Sequence, residues 1–288
     1  MSNVRRRTVL GAAAAFGAAA VSGCAPGAAP EPEETMALQR HTYGADPNQF
    51  AELYLPAERT QPGVVVIVHG GYWRAEYTLE LGVPLAKDLA ERGYACWNLE
   101  YRRAGDGGGW PATFEDISAG INLLATAAEE HGLDLSTTTA LGHSAGGHLA
   151  VWAAGRASLP LGAPGSGVPA VPLTGVVSQS GVLNLALARE EGLGGGAVMN
   201  LLGNAGPEAY QLADPMTAIP LDVPVLALHG EEDSTVPVSQ SSSYVDAAAA
   251  AGAEAELVMI PGDHFAMITP GTDAWERVVE AVGRLAAS

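Results

Sequence analysis

The sequence predicts an α/β chain built as one mainly parallel sheet with helices on both faces. Three observations carry this. Short β-prone runs alternate with helical patterns from about residue 51 to residue 285, the mark of βαβ units. The run Val64-Val65-Val66-Ile67-Val68 is unbroken and β-branched, which suits a strand covered on both faces. The 288 residues, 48% of them hydrophobic, suffice for one large core, with no internal repeat or second domain in view.

Taken in order, residues 51–55 alternate and read as an early antiparallel strand. Residues 64–68 form the buried strand. Residues 79–92 have helical spacing, with Leu81, Leu85 and Leu89 on one face and Gly93 closing the helix. Residues 94–99 are the next strand, and Cys96 within it reads as a buried thiol. Residues 114–131 are helical, with Ile117, Ile121, Leu124 and Ala128 along one side. A strand at 138–141 leads into Gly142-His143-Ser144-Ala145-Gly146, and a helix follows to about residue 157. Residues 159–172 read as a surface loop and 173–178 as a strand. Residues 181–220 are irregular, with short helical pieces, and are expected to form a short lid-like insertion. A strand at 223–228, a helix at 238–251, a strand at 256–260 and a helix at 275–285 complete the chain.

The chemistry gathers at strand ends, where doubly wound sheets bind ligands. Gly142-x-Ser144-x-Gly146 is a nucleophile-elbow pattern: the glycines let strand and helix approach, and the serine is presented on a strained turn. The strand at 223–228 ends in His229-Gly230-Glu231-Glu232-Asp233, and the strand at 256–260 is followed by Pro261-Gly262-Asp263-His264. A serine hydroxyl alone is a poor nucleophile. An imidazole must take its proton, and a carboxylate must orient that imidazole. The order Ser144, Asp233, His264 supplies all three. Asp233 is preferred to Glu231 and Glu232, and Asp263 reads as a turn residue. Oxyanion donors are expected from the N–H groups of Ala145, Gly71 and Tyr72, the last two in the turn His69-Gly70-Gly71-Tyr72. Trp73 and Tyr101 are expected as pocket walls. His41 and His131 read as loop residues. His69 and His229 read as strand-end residues bonded to loop backbone. No H-E-x-x-H or Cys/His cluster is present, and no lysine follows the Gly194-Gly195-Gly196 run. No metal site, cofactor or phosphate loop is therefore expected.

The formal net charge is −18. Such a surface repels phosphates, which argues against nucleic acid as a partner. The N-terminus differs from the rest. Arg5-Arg6-Arg7 precedes an apolar run from Val9 to Val21, too short for a spanning helix of about 20 residues. Residues 1–23 read as a signal peptide of twin-arginine type. Val21-Ser22-Gly23-Cys24 resembles a bacterial lipobox, so Cys24 is expected to carry lipid. Residues 24–40, rich in proline, alanine and acid, read as a disordered tether. Residues 41–288 are then the catalytic domain, exported and held at a membrane.

His69-Gly70-Gly71-Tyr72-Trp73 together with Gly142-His143-Ser144-Ala145-Gly146-Gly147-His148-Leu149 resembles the α/β-hydrolases. Within them it is similar to the kynurenine formamidase (arylformamidase), acetyl/feruloyl esterase and hormone-sensitive-lipase groups, over roughly residues 41–288. The resemblance implies an α/β-hydrolase fold and an esterase or amidase. The leading expectation is hydrolysis of small carboxylic esters through an acyl-enzyme on Ser144. Arylformamidase, a prolyl-oligopeptidase-like peptidase and a non-catalytic binding protein are the alternatives. The leader departs from the cytosolic formamidases and favours external esters.

Overall fold

The computed structural model describes residues 36–287. The expected leader at 1–23, Cys24 and most of the expected tether lie outside them. At the centre is β3 (Val64–Val68), buried along its whole length. Val64, Val66 and Val68 enter one hydrophobic layer, and Val65 and Ile67 the other. That is the two-residue alternation of a strand. With packing on both faces no position is left for a polar residue. Burying each such side chain is worth about 1.5–3 kcal/mol.

The strands β4 (Ala95–Leu99) and β5 (Thr138–His143) flank β3 in parallel. Beyond β5 lie β6 (Gly175–Gln179), β7 (Val225–Gly230) and β8 (Ala255–Ile260), also parallel. On the other side β2 (Phe50–Leu55) pairs antiparallel with both β4 and β1 (Ala37–Thr42). The order across the sheet is β1-β2-β4-β3-β5-β6-β7-β8. One face is covered by α1 (Val83–Glu91) and α8 (Asp273–Ala286), through Leu85, Leu89, Trp275 and Val278. The other is covered by α2 (Ala112–His131), α3 (Ala145–Gly155) and α7 (Ser239–Ala250), through Ile117, Ile121, Leu149 and Tyr244. The insertion after β6 folds into α4 (Leu185–Glu190), α5 (Leu193–Leu202) and α6 (Pro207–Ala213).

Several expectations need correction. Residues 37–40, expected as tether, belong to β1, so the ordered domain begins before residue 41. The strand's side chains are mostly exposed. Main-chain pairing to β2 makes it, and no apolar pattern announces it. His41 therefore lies in a strand, and His131 is the last residue of α2. Residues 79–92 are not one helix. A 3₁₀ turn, Leu79–Leu81, precedes α1, which starts after Gly82 with a proline in its first turn. Leu81 is consequently exposed. The last helix starts two residues early because the Thr272 side chain accepts from the Trp275 N–H. Cys96 is buried in β4, and burial raises its thiol pKa. Among the described residues no helix is long and apolar enough to cross a membrane.

Candidate active site

Ser144 sits between β5 and α3 at φ 55°, ψ −117°. A non-glycine residue there costs about 1–3 kcal/mol, so the surroundings must hold it. The Ser144 N–H donates to the Gln179 carbonyl at 2.8 Å, and its own carbonyl accepts from Val182 and His148 at 3.2 Å. The two elbow glycines allow the approach. A Cβ at Gly142 would lie 2.2 Å from the Gly146 oxygen, and one at Gly146 would lie 2.0 Å from the Val68 oxygen.

The loops after β7 and β8 bring Asp233 and His264 together, because those two strands are neighbours. His264 Nδ1 lies 2.7 Å from Asp233 Oδ2. The carboxylate accepts, so Nδ1 carries the hydrogen and Nε2 is left with its lone pair. Asp233 Oδ1 accepts from the Thr235 and Val236 N–H groups, both at 2.8 Å. Burial pushes this carboxyl upward. The bonds from His264, Val236 and the Ser180 hydroxyl outweigh it and hold the pKa at about 2. Glu231 and Glu232 are exposed. Asp263 caps its own turn, accepting from Phe265 and Ala266 N–H. His229 lies 3.6 Å from Asp233, but its bonds run to the Val236 carbonyl (2.9 Å) and the Ser241 hydroxyl (2.8 Å).

The turn after β3 is strained. Gly71, Tyr72 and Trp73 have φ of 109°, 53° and 55°. Successive backbone N–H groups in a tight turn can converge on an anion. The N–H groups of Gly71, Tyr72 and Ala145 have no acceptor among the described residues. Trp73 and Tyr101 do not line a pocket: each is 0% exposed. They brace the turn instead. Trp73 Nε1–H donates to His148 Nδ1 at 3.2 Å, its carbonyl accepts from Ala104 N–H, and the Tyr101 hydroxyl donates to the His69 carbonyl at 2.9 Å. Tyr72 is half-buried. Its hydroxyl donates to the Thr235 carbonyl, and its ring packs on Gly194, where a Cβ would clash. Gly194, Gly195 and Gly196 form a left-handed turn whose first carbonyl accepts from Arg74. That is what the glycine run does here.

Two further histidines complete the site. His143 Nε2–H donates to the His264 carbonyl at 2.9 Å, and the two rings lie 4.5 Å apart. His148 accepts from Trp73 at Nδ1 and donates from Nε2 to the Ala213 carbonyl. It thereby joins the strained turn to the insertion. Burial lowers these imidazoles to about 3 and about 4. Both are neutral when folded and bind protons more readily when unfolded. Their stabilisation is therefore complete above the ordinary value of 6.5 and is lost as pH falls toward 4 and 3. Denaturant unfolding should show stability dropping across that window by about 1.4 kcal/mol per pH unit for each histidine. His148→Gln should flatten the slope, and a profile already flat between pH 6.5 and 4 would contradict this account.

Against this geometry, comparison with known proteins finds a family model, BD-FAE, matching residues 51–247. The chain belongs to the BD-FAE family. The matched span includes Ser144 and Asp233, and His264 lies beyond it. This BD-FAE chain is 30% identical over 240 residues to isoprenylcysteine alpha-carbonyl methylesterase ICME of Arabidopsis thaliana, covering 76% of this chain and 54% of that one. It is 27% identical over 218 residues to Esterase LipC of Mycobacterium tuberculosis, covering 72% and 54%. It thus spans about half the length of the curated relatives it matches. Among solved structures it superposes on esterase B from Lactobacillus rhamnosis inhibited by a tributyrin phosphonate, at TM-score 0.78 and 23% identity over 89% of this chain and 86% of that one. A truncated carbohydrate esterase from gut microbiota gives TM-score 0.74 at 21% identity, covering 89% and 99%. The fold is that of the α/β-hydrolases.

Three residues around the candidate site are not among those the sequence points to. Glu100, directly after β4, is buried and accepts from His69 Nε2 at 3.0 Å, from the N–H groups of Leu79 and Tyr101 at 2.9 Å, and from Arg103. An acid at a strand end was the available signal. Ser180, after β6 at φ 46°, bonds to Asp233; the Ser-Gly dipeptide signalled only a turn. His143 contacts His264, 121 residues away, and no local pattern signals that pairing.

Proposed function

We propose that this chain is a serine esterase acting on small carboxylic esters. The observation that carries the reading is the Asp233–His264 pair at 2.7 Å, with His143, the residue before the strained Ser144, bonded to the His264 carbonyl. In this mechanism His264 Nε2 takes the Ser144 proton as the hydroxyl oxygen attacks the ester carbonyl. The N–H groups of Ala145, Gly71 and Tyr72 receive the developing oxyanion. His264 then gives its proton to the departing alcohol, and water releases the acid by the same steps. Asp233, ionised at about pH 2 and above, holds the imidazole in the required tautomer throughout. The relatives named above are esterases, which supports ester over amide substrates.

A fluorophosphonate probe should label Ser144, and p-nitrophenyl acetate or butyrate should be hydrolysed far faster than N-formylkynurenine. The reverse preference would move the reading to arylformamidase, and no labelling would leave a binding protein. We further propose that the chain is exported and lipid-anchored at Cys24, on the strength of Arg5-Arg6-Arg7, the apolar run and Val21-Ser22-Gly23-Cys24. Cys24→Ser should release it from membranes, and unchanged membrane fractionation would refute the anchor.

A further inference from the structure

Two imidazoles and a carboxylate meet where β1 passes the end of α2, on elements that carry none of Ser144, Asp233 or His264. Glu130 Oε2 lies 3.9 Å from His41 Nδ1 and 4.0 Å from His131 Nε2. One ligating atom from each residue lies within 4.8 Å of the other two. The two rings meet edge to face at 5.8 Å, and His41 rests against Trp97 at 5.3 Å. The histidine side chains are 15% and 18% exposed, whereas Glu130 is 56% exposed and free to swing. Among the described residues, Nε2 of His41 and Nε2 of His131 are buried and without a hydrogen-bond partner. Unpaired buried nitrogens are uncommon, and two in one place call for an explanation.

We propose that His41, Glu130 and His131 bind a divalent transition-metal ion of the zinc class. Two neutral imidazoles and one carboxylate form a donor set that zinc takes readily, with one or more positions left to water. Calcium and magnesium want oxygen donors throughout and do not suit it. Ligand atoms around tetrahedral zinc stand about 3.4 Å apart, given bonds of about 2.0–2.1 Å. Drawing in from 3.9 and 4.0 Å to Glu130, and from up to 4.8 Å between the imidazole nitrogens, asks shifts of about 0.5–1.4 Å, shared between the exposed Glu130 side chain and rotation of the two rings. The bound ion gives His131 Nε2 a partner and clamps β1, an edge strand whose strand pairing is with β2 alone, to the end of α2. It acts on the fold and not on the ester, since none of its ligands belongs to the catalytic edge.

The test uses the untagged full chain, stripped with EDTA and dialysed against micromolar zinc. Mass spectrometry of the metal should find one zinc per chain. Cobalt in its place should give the visible absorption of a four- or five-coordinate site. Zinc should raise the melting temperature and slow hydrogen exchange of β1 amides by about 10-fold or more. His131→Ala, at a helix end, should keep the fold and the esterase activity while weakening zinc by about 100-fold or more; Glu130→Gln should weaken it by about 10-fold. His41→Ala should match His131→Ala, and His131 alone decides if the strand variant fails to fold. Substoichiometric zinc, or equal zinc affinity in His131→Ala and wild type, would overturn the proposal and leave a histidine–carboxylate contact bridged by water.

Discussion

Ser144→Ala lowers kcat for a short acyl ester by about 10⁴-fold or more, equivalent to about 5.5 kcal/mol of transition-state stabilisation. The loss is large because the covalent route disappears, while the Asp233–His264 pair and the N–H donors at Ala145, Gly71 and Tyr72 are left without a nucleophile to serve. The fold should be indifferent: Ala at position 144 adopts the same positive φ at the same cost. Ser144→Gly sharpens the test. It abolishes activity equally but relieves about 1–3 kcal/mol of backbone strain, so its melting temperature should rise above wild type. A Ser144→Ala protein that retains a tenth of wild-type activity would remove this serine from the chemistry.

Glu100→Ala destabilises the chain by about 3–5 kcal/mol, the cost of stripping one partner from a buried ionic cluster. Glu100 and Arg103 each have side chains 2% exposed. Burial alone would raise the Glu100 carboxyl. The bond from His69, the Leu79 N–H and Arg103 together reverse this, so the pKa is lowered and the group is ionised. Without it, an imidazole nitrogen and two backbone N–H groups lose their acceptor at once, and the buried Arg103 guanidinium loses its buried carboxylate, keeping the Tyr101 carbonyl, Asn48 and the exposed Asp106. The loss is a large share of a typical stability of about 5–15 kcal/mol. Glu100→Gln keeps the shape and one acceptor oxygen, so it should fall between. Because His69 leads directly into Gly71 and Tyr72, kcat should fall in both variants as the turn loosens. Denaturant midpoints within about 1 kcal/mol of wild type for Glu100→Ala would show the cluster to be replaceable.

Much of the architecture could be read because the cues are local. β3 is apolar at every residue because both of its faces are covered. The glycines at 142 and 146 are dictated by backbone atoms 2.0–2.2 Å from where a Cβ would stand. Asp233 and His264 each follow a recognisable strand, and adjacency of β7 and β8 accounts for their meeting. β1 escaped because an exposed edge strand needs main-chain partners and no apolar pattern. The roles of Trp73 and Tyr101 were misread for a related reason. An aromatic beside a strained turn can face a ligand or brace the turn, and composition alone does not separate these.

Residue order was enough for the layered α/β plan, the elbow and the position of each candidate group at a strand end, since strand periodicity and turn chemistry act over a few neighbouring residues. Folding settled which groups touch: His143 on the His264 carbonyl, His148 between Trp73 and Ala213, Glu100 under His69, and His41 beside Glu130 and His131. Apart from the adjacent pair Glu130 and His131, each of these contacts joins residues 31 or more positions apart. Such pairings are chosen by sheet order and helix placement, which no short window of sequence contains.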